Sequence, residues 1–227
     1  IRAIFGAWGC PRFSFSIYTA STMILNNFKK GFTVVELMVV TAIFALMSSI
    51  AIANYPSFTT RLSLELLAHD IALTIRQSQV YTLGVKALAG DFPSWGVHFD
   101  ANDEKHFILF ADKNGNAVYD KGDDCGGADT ECQTKYTVQG LNTITQLCGK
   151  FGSTVDCFAV FPESTRYLDV VFRRPDPDAY SSSDQVEYAP PNKYSDASIK
   201  VVGVEGAFRY IHITQSGQIS VRTTAPF

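Results

Sequence analysis

The sequence predicts an α+β protein in which a long N-terminal α-helix packs on an antiparallel β-sheet domain. The helix is expected to have a transmembrane half and an amphipathic half. Three observations lead to this class: an apolar stretch at 32–53, helical apolar spacing from there to about residue 84, and short alternating or apolar runs, typical of strands, in the remainder. We therefore predict a leader at 1–31, the N-terminal helix at 32–84 and a β-rich globular domain at 85–227.

The stretch 32–53 is long enough to cross a membrane, because its 22 residues give about 33 Å of helix and a bilayer core is about 30 Å thick. Its only ionisable residue is Glu36, and a carboxylate in hydrocarbon costs about 2.5 kcal/mol or more. Lys29 and Lys30 precede the stretch, whereas the residues from Ser57 onward carry a net formal charge of −6. This asymmetry predicts a cytoplasmic N-terminus and a globular domain outside the cytoplasm.

We do not expect residues 1–22 to belong to the folded protein. Residue 1 is not methionine, whereas Met23 opens the short polar and basic segment MILNNFKK. We expect translation to start at Met23, so that residues 1–22 are not translated; a genuine N-terminal extension is the alternative. The apolar stretch exceeds the roughly 7–15 residues of a cleaved signal peptide, which disfavours that interpretation.

Four cysteines of the β-rich domain lie in two close pairs, and a domain outside the cytoplasm permits disulfides. We predict Cys125–Cys132 and Cys148–Cys157. The pairing of Cys125 with Cys157 and of Cys132 with Cys148 remains open. Neither close pair has the CxxC spacing that zinc favours. We assign a disulfide-containing insert to about residues 112–150.

The segment KKGFTVVELMVVTAIFAL resembles the prepilin signature of type IV pilins and type II secretion pseudopilins. The resemblance implies that a membrane peptidase cuts after Gly31, that the new terminal amine of Phe32 is methylated, and that Glu36 becomes the fifth residue of the mature chain. It also implies that Glu36 neutralises the amino terminus of a neighbouring subunit in a filament, because two opposite buried charges offset each other's desolvation.

This resemblance defines the expected partners and location. The partners are other pilins or pseudopilins, the prepilin peptidase and N-methyltransferase, an inner-membrane assembly platform, and membrane lipid. The chain is expected to cross the inner membrane once, with its globular domain outside the cytoplasm, and to enter a periplasmic or cell-surface filament.

The rest of the chain is similar, more loosely, to H-type pseudopilins and to minor pilins linked to DNA uptake. The similar segments are IRQSQVYTLG, WGVHFD, FILFADKNGN, VVFRRPDPDA and IHITQSGQISV. The implied function is a structural subunit of a type II secretion pseudopilus or a type IV pilus; the alternative is a DNA-binding minor pilin. A domain of net charge −6 lacks the basic footprint of nucleic-acid binding, and Arg173, Arg174 and Arg222 are interpreted as surface ion-pair partners.

The amphipathic half of the helix carries two apolar stripes. One face is expected to pack on the globular domain and the other on neighbouring subunits, although both stripes could belong to the core. Pro56 is expected to bend or loosen the helix, and Gly84 to cap its C-terminus. The stripes are Leu64, Leu67, Ile71 and Ile75, and Phe58, Leu62 and Leu66.

The segment DKNGNAVYDKGD predicts a calcium loop, because hard oxygen ligands at alternating positions suit Ca²⁺. Two departures from the EF-hand pattern count against it: Ala117 replaces the turn glycine, and Asp123 replaces the bidentate glutamate. A polar turn without metal is the alternative. The candidate ligands are the side chains of Asp112, Asn114, Asn116, Asp120 and Asp123 and the carbonyl of Val118.

No motif indicates an enzyme. The four histidines form no HExxH, and no GxSxG, P-loop or GxGxxG is present. His98 and His106 could face each other across a hairpin, but exposed strand histidines are common. We predict a protein without catalytic activity.

Overall fold

The structure, a computed structural model, describes residues 31–120, 125–127, 130–162, 164–183 and 194–227, without the side chains of residues 53–57 and 205. The chain divides into two compact units between Ser48 and Ser49. The described part of the first unit is a short non-helical segment followed by helix. The second unit contains helix and two antiparallel sheets. The predicted α+β class is confirmed.

Helix α1 runs from Val34 to Leu83. Its segment Val34–Ile52, with a mean hydropathy of 2.2, is long and apolar enough to cross a membrane by length and composition. Helix α1 continues through Pro56 without interruption. Gly84 follows the helix as predicted, but the left-handed backbone angle falls on the next residue, Val85, with φ of 55°.

The first sheet has five antiparallel strands in the order β3-β2-β1-β6-β7. Its central strand β1 pairs with β2 on one side and with β6 on the other. The strand bounds are β1 Ser94–Asp100, β2 His106–Asp112, β3 Cys132–Thr137, β6 Tyr167–Phe172 and β7 Ala179–Ser183.

The second sheet has the order β10-β9-β8-β4-β5 and is also antiparallel. The segment YIHITQSGQISVRT forms a hairpin of β9 and β10, with Ile219 opposite Ile213 and Val221 opposite Ile211. The strand bounds are β4 Thr143–Phe151, β5 Thr154–Ala159, β8 Asp196–Val202, β9 Phe208–Thr214 and β10 Ile219–Arg222.

Strands β4 and β7 were missed by the sequence patterns. Strand β7 is AYSSS, whose serines carry little strand propensity, and β4 contains Gly149, which weakens the strand signal. Strand β3 forms an edge of the first sheet and β4 lies inside the second. The segment 112–150 therefore contributes strands to both sheets.

One apolar cluster joins α1 to both sheets. The predicted stripe Leu64, Leu67, Ile71 and Ile75 is buried in it, together with β1 and β8 side chains such as Val97 and Ile199. A second, smaller cluster lies on the other face of the first sheet, where Ala117, Tyr119 and Cys132 cover Phe110 and Val171. The residues that follow β2 thus cover this face of the sheet.

Candidate functional site

Gly31 and Phe32 precede helix α1 and are exposed, and Glu36 lies in its first turn. Thr33 caps the helix: its Oγ1 accepts a hydrogen bond from the Glu36 amide at 3.2 Å, and its carbonyl accepts one from the Leu37 amide at 3.1 Å. Thr33 and Glu36 have the Thr-x-x-Glu spacing of a capping box. The sequence analysis missed this role of Thr33, although the spacing signalled it.

The helix surface around Glu36 is apolar and exposed in the isolated chain. Leu37, Val40 and Phe44 all lie open on it. An exposed apolar surface of this extent indicates contact with lipid or with another apolar helix. Glu36 is therefore one carboxylate within an otherwise apolar interaction surface.

The two predicted apolar stripes of α1 differ in burial, so they do not both belong to the core. The buried stripe faces the domain, whereas Phe58, Leu62 and Leu66 are exposed, with Leu66 at 55%. Two further apolar residues of the helix, Leu73 and Val80, are also exposed. We call these five residues the exposed stripe: Phe58, Leu62, Leu66, Leu73 and Val80.

A groove lies between α1 and the edge strand β3. It has a volume of about 560 Å³. Leu66 and Leu73 of the exposed stripe line it, together with Phe107 and Tyr136 of the first sheet. The exposed stripe therefore borders a depression that could accept side chains from a packed neighbour.

The loop that follows β2 is organised by the carboxylate of Asp112, which is 2% exposed. Its Oδ1 accepts hydrogen bonds from the amides of Gly115 and Asn116 at 2.7 and 3.1 Å. Its Oδ2 accepts one from the Ala117 amide at 3.0 Å. Ala117 has φ of 63°, the left-handed conformation that the EF-hand glycine adopts at this position.

Three further predicted ligands converge within the loop. Oδ2 of Asp120 lies 2.5 Å from Nδ2 of Asn114 and 3.3 Å from Nδ2 of Asn116. The amide of Val118 donates to Oδ1 of Asn116 at 2.8 Å. Among the described residues, no group of three or more His, Cys, Asp or Glu side chains is arranged to hold a metal ion. The sixth predicted ligand, Asp123, lies outside the described residues.

Glu131 closes the loop and was missed by the sequence analysis. Its Oε1 accepts the Lys113 amide at 3.1 Å and its Oε2 accepts the Asp120 amide at 2.8 Å. Burial raises the pKa of Glu131, and the negative charges of Asp120 and Asp112 act in the same direction. Glu131 lies outside the twelve positions of the EF-hand pattern, so only the tertiary structure shows that it contacts the loop.

Burial also raises the pKa of Asp112. The amides of Ala117 and Gly115 and the guanidinium of Arg173, whose Nη2 lies 3.8 Å from Oδ2 of Asp112, oppose that shift. Arg173 also donates to the Gly115 carbonyl. Burial therefore opposes ionisation of the loop carboxylates, and Arg173 offsets this only in part at Asp112.

A buried aspartate fixes the same loop to the sheet from below. Oδ1 of Asp169 lies 2.6 Å from Nδ1 of His98, and its Oδ2 accepts the Tyr119 amide at 2.9 Å. His98 is buried, which differs from the expected exposed strand histidine, because the loop covers that face of the sheet. The acidic residue within the apolar strand YLDVVF was the sequence signal for this contact.

Both close cysteine pairs form disulfides: Cys125 is bonded to Cys132 and Cys148 to Cys157. The first bond joins the end of the loop region to β3, and the second joins β4 to β5, where the two cysteines are directly opposite each other. The alternative pairing is not formed.

The three arginines considered for nucleic acid make contacts within the chain. Nη2 of Arg174 donates to the Phe92 carbonyl at 2.5 Å and Nε of Arg222 to Oγ of Ser220 at 3.2 Å. Arg173 contacts the loop as described above. Their geometry gives no specific support to a nucleic-acid interface.

Comparison with known families gives one match. The family model for the prokaryotic N-terminal methylation motif matches residues 26–52. No curated protein and no solved structure matches the chain. The matched residues include Gly31 and Phe32, the helix cap at Thr33 and the apolar part of α1.

The matched motif, which continues into the apolar helix, supports a type IV pilin-like or pseudopilin protein. The motif implies processing by a prepilin peptidase and assembly with other pilins. The apolar helix and the motif also fit a protein that crosses the inner membrane once.

Proposed function

We propose that this chain is a non-catalytic structural subunit of a type II secretion pseudopilus or a type IV pilus, processed between Gly31 and Phe32. The observation that carries the proposal is the continuity of the methylation motif with one helix, α1, which exposes apolar side chains within Val34–Ile52 and again along the exposed stripe. Exposure of such a surface to water is unfavourable. Lipid would cover it in the membrane, and neighbouring helices would cover it in the filament.

Glu36 is proposed to select neighbours in register. In an apolar environment its carboxylate is strongly unfavourable unless it meets a cation. The amino terminus of Phe32 in an adjacent subunit supplies that cation after cleavage. A subunit shifted along the filament axis leaves both charges unpaired, so the pairing favours one axial register.

An H-type pseudopilin or a related minor pilin is the more specific assignment that we propose. It is supported by the positions of the similar segments: IRQSQVYTLG ends α1, WGVHFD lies in β1, and IHITQSGQISV spans the β9–β10 hairpin. A DNA-binding minor pilin remains the competing hypothesis. Salt-sensitive gel-shift binding by the purified chain would favour that hypothesis, because phosphate contacts release counterions.

The processing step is tested by mass spectrometry of the chain expressed with and without a prepilin peptidase. We expect the mature protein to begin at a methylated Phe32 only when the peptidase is present. An intact leader in the presence of an active peptidase would contradict the proposal.

The assembly role is tested with Glu36→Ala, which should insert into membranes but enter filaments poorly. Thr41→Ala, which removes a polar side chain five residues further along the apolar segment, is the matched control and should assemble normally. Thr33→Ala removes the helix cap without removing the charge, so it separates capping from charge pairing. Normal assembly of Glu36→Ala would show that the carboxylate is not used in this way.

We further propose that the 112–123 loop binds Ca²⁺ as a structural ion. The convergence of Asn114, Asn116 and Asp120 and the left-handed Ala117 support the fit. Rotation of the two asparagine side chains would present their carbonyl oxygens beside the carboxylates. Calcium would neutralise those carboxylates and so stabilise the cover over the first sheet.

The calcium proposal is tested by thermal melting of the full chain in detergent, with calcium or with a chelator. The melting temperature should rise with calcium concentration, with a dissociation constant on the order of 10⁻⁴ M, as in extracellular modules. Asp120→Ala should abolish the shift, whereas Asp91→Ala, which removes an exposed carboxylate outside the loop, should preserve it. Equal melting temperatures in calcium and in chelator would show that the loop is a polar turn that binds no calcium.

A further inference from the structure

We propose that His98 and His106 bind one divalent transition-metal ion, for which Zn²⁺ is the best fit. Both histidines line a cavity of about 360 Å³ on the face of the first sheet that carries the smaller apolar cluster. Neither histidine belongs to the processing site, to the exposed stripe or to the predicted ligands of the 112–123 loop. We call this space the histidine cavity; its other lining residues include Asp100, Asp103, Tyr119 and Lys135.

Strand pairing places the two histidines on the same face of the sheet, in adjacent rows. His98 of β1 is directly opposite Ile108 of β2, and His106 lies two residues before Ile108 on the same strand. Side chains two residues apart on a strand point to the same face. Diagonal neighbours on adjacent strands are within reach of long and aromatic side chains. Both imidazoles can therefore reach an ion that lies between the two strands.

The imidazole of His98 is held from the side away from His106. His98 is 8% exposed, and its Nδ1 lies 2.6 Å from Oδ1 of Asp169, which is opposite His98 on β6. The Tyr119 ring packs against the imidazole, with 4.7 Å between the ring centroids. Because the two nitrogens of an imidazole lie on opposite sides of the ring, Nε2 of His98 is directed away from β6 and towards β2.

The imidazole of His106 is held from the turn between β1 and β2. Its Nδ1 lies 2.9 and 2.8 Å from the two carboxylate oxygens of Asp103, so its Nε2 is directed away from the turn and towards the row of His98. A carboxylate beside Nδ1 favours the proton on that nitrogen and leaves the lone pair on Nε2. Histidines that bind metals typically have this carboxylate partner. Both histidines therefore direct a ligand nitrogen to the space between them.

The chemistry of the histidine cavity selects the metal. Imidazole suits Zn²⁺, Ni²⁺ and Cu²⁺, whereas Ca²⁺ prefers oxygen ligands. Asp100 and Asp103 add negative charge, and Nζ of Lys135 lies 3.6 Å from Oδ2 of Asp103. Within the described ranges, no three His, Cys, Asp or Glu side chains are arranged around one ion. The two imidazoles are therefore the protein ligands, and water completes the tetrahedral shell that Zn²⁺ prefers.

The test is a calorimetric titration of Zn²⁺ into the full chain in detergent, without a histidine tag. Cys10→Ser removes the one cysteine outside the two disulfides. We expect one Zn²⁺ per chain and a melting temperature that rises with zinc concentration. His98→Asn and His106→Asn should each weaken binding by more than about tenfold, because loss of even an outer partner of a metal ligand typically costs that much.

Asparagine at either position can still donate to the neighbouring carboxylate, so each variant removes the ligand nitrogen and keeps the supporting hydrogen bond. His69→Asn, at an exposed position of α1, is the matched control and should bind zinc as the unsubstituted chain does. Copper(II) gives a second readout. Its electron paramagnetic resonance spectrum should show two nitrogen ligands in the chain with both histidines and one in His106→Asn.

Zinc binding that survives both histidine substitutions, or that is absent from the unsubstituted chain, would overturn the proposal. Loss of zinc binding in Asp120→Ala but not in the histidine variants would place the ion in the 112–123 loop and likewise overturn it. The His106 side chain is 32% exposed, so His106→Asn provides the test even where the buried substitution His98→Asn prevents folding. The calcium and assembly proposals do not depend on this result.

Discussion

At the scale of single residues, the Tyr194 side chain restricts position 149 to glycine. The Tyr194 ring lies so close to Gly149 that a Cβ there would be 2.2 Å from its Cδ2. The Tyr194 hydroxyl is held in place by Oδ2 of Asp156 at 2.7 Å and Oγ of Ser183 at 2.8 Å. Burial raises the pKa of Tyr194 to about 12. The ring therefore cannot move aside easily.

Gly149→Ala should lower the free energy of unfolding by about 1–3 kcal/mol, because overpacking forces the ring or the strand to shift. In a Tyr194→Ala background the same substitution should cost much less, since the ring is absent. Chemical denaturation of the four proteins in this double-mutant cycle measures the coupling. Equal costs in the two backgrounds would show that the contact with the ring does not constrain position 149.

The buried carboxylates of Asp112 and Glu131 predict how calcium stabilisation varies with pH. Their pKa values are raised, so without metal their contribution to stability is lost as pH rises through the raised values, above the ordinary 3.8 and 4.5. Calcium binds the ionised form and should restore that loss. Burial lowers the pKa of His212, which destabilises the fold as pH falls below 6.5 with or without calcium.

We therefore expect the melting-temperature difference between calcium and chelator to grow from about pH 5 to about pH 7. Taking the difference removes the calcium-independent effect of His212. Asp112→Asn should weaken the pH dependence of the difference. A calcium effect that is constant across this range would mean that protons and calcium do not compete at these carboxylates.

At the scale of elements, helix α1 is followed by a left-handed valine, Val85, where glycine is usual. The Lys86 amide donates to the Tyr81 carbonyl at 2.9 Å, the six-to-one hydrogen bond of a Schellman motif. That motif places its left-handed residue at Val85, where glycine would be favoured, and Gly84 precedes it. The sequence therefore located the helix end correctly but not the residue that adopts the left-handed angle.

Val85→Gly should raise the free energy of unfolding by about 1 kcal/mol, because it relieves the left-handed strain of a β-branched residue. Val85 is exposed, so little packing is lost. Val80→Gly, also exposed but within the regular helix, is the control and should be destabilising by a few tenths of a kcal/mol. Destabilisation by Val85→Gly would show that the valine side chain makes an important contact.

The Cys148–Cys157 disulfide joins β5, at the edge of the second sheet, to the interior strand β4. Replacing both cysteines with alanine should lower the free energy of unfolding by about 2–4 kcal/mol. Amide hydrogen exchange should accelerate in β5 more than in β8 and β9, because an edge strand depends most on the cross-link. Uniform acceleration across the sheet would contradict this local role.

At the scale of the whole molecule, the chain has more apolar helix surface than its own domain covers. The buried stripe packs against the domain core, while the exposed stripe borders the groove beside β3. The same fold thus buries one face of α1 against the domain and leaves the other exposed. Under the proposed function, this division allows one folded chain also to pack in a filament.

Leu73→Glu should leave thermal melting nearly unchanged, because the residue is 58% exposed. It should nevertheless reduce incorporation into filaments by placing a charge on the apolar assembly surface. Phe151→Glu, which introduces the same charge at the exposed last residue of β4, is the control and should assemble better. Equal incorporation of the two variants would mean that the exposed stripe is not the packing surface.

The sequence by itself determined the features that depend on local pattern. Apolar length and helical spacing predict α1, the Gly-Phe-Thr-x-x-Glu junction predicts where processing would occur, and alternating or apolar runs predict eight of the ten strands in the described part of the chain. The same is true of the helical spacing of the buried stripe and of the hydrogen bonds to Asp112, which come from the amides of residues 115–117.

Only the tertiary structure decided what depends on residues distant in sequence. Glu131 closes the loop across eighteen residues from Lys113, and Asp169 reaches it from β6. Strand β7 forms because β6 supplies its hydrogen bonds, although AYSSS has little strand propensity of its own. The β3–β4 and β8–β9 connections pack together on α1 because Asn142 and Gly203 meet beside Ser63 and Leu64. Chain folding brings these groups together, and no local pattern encodes their proximity.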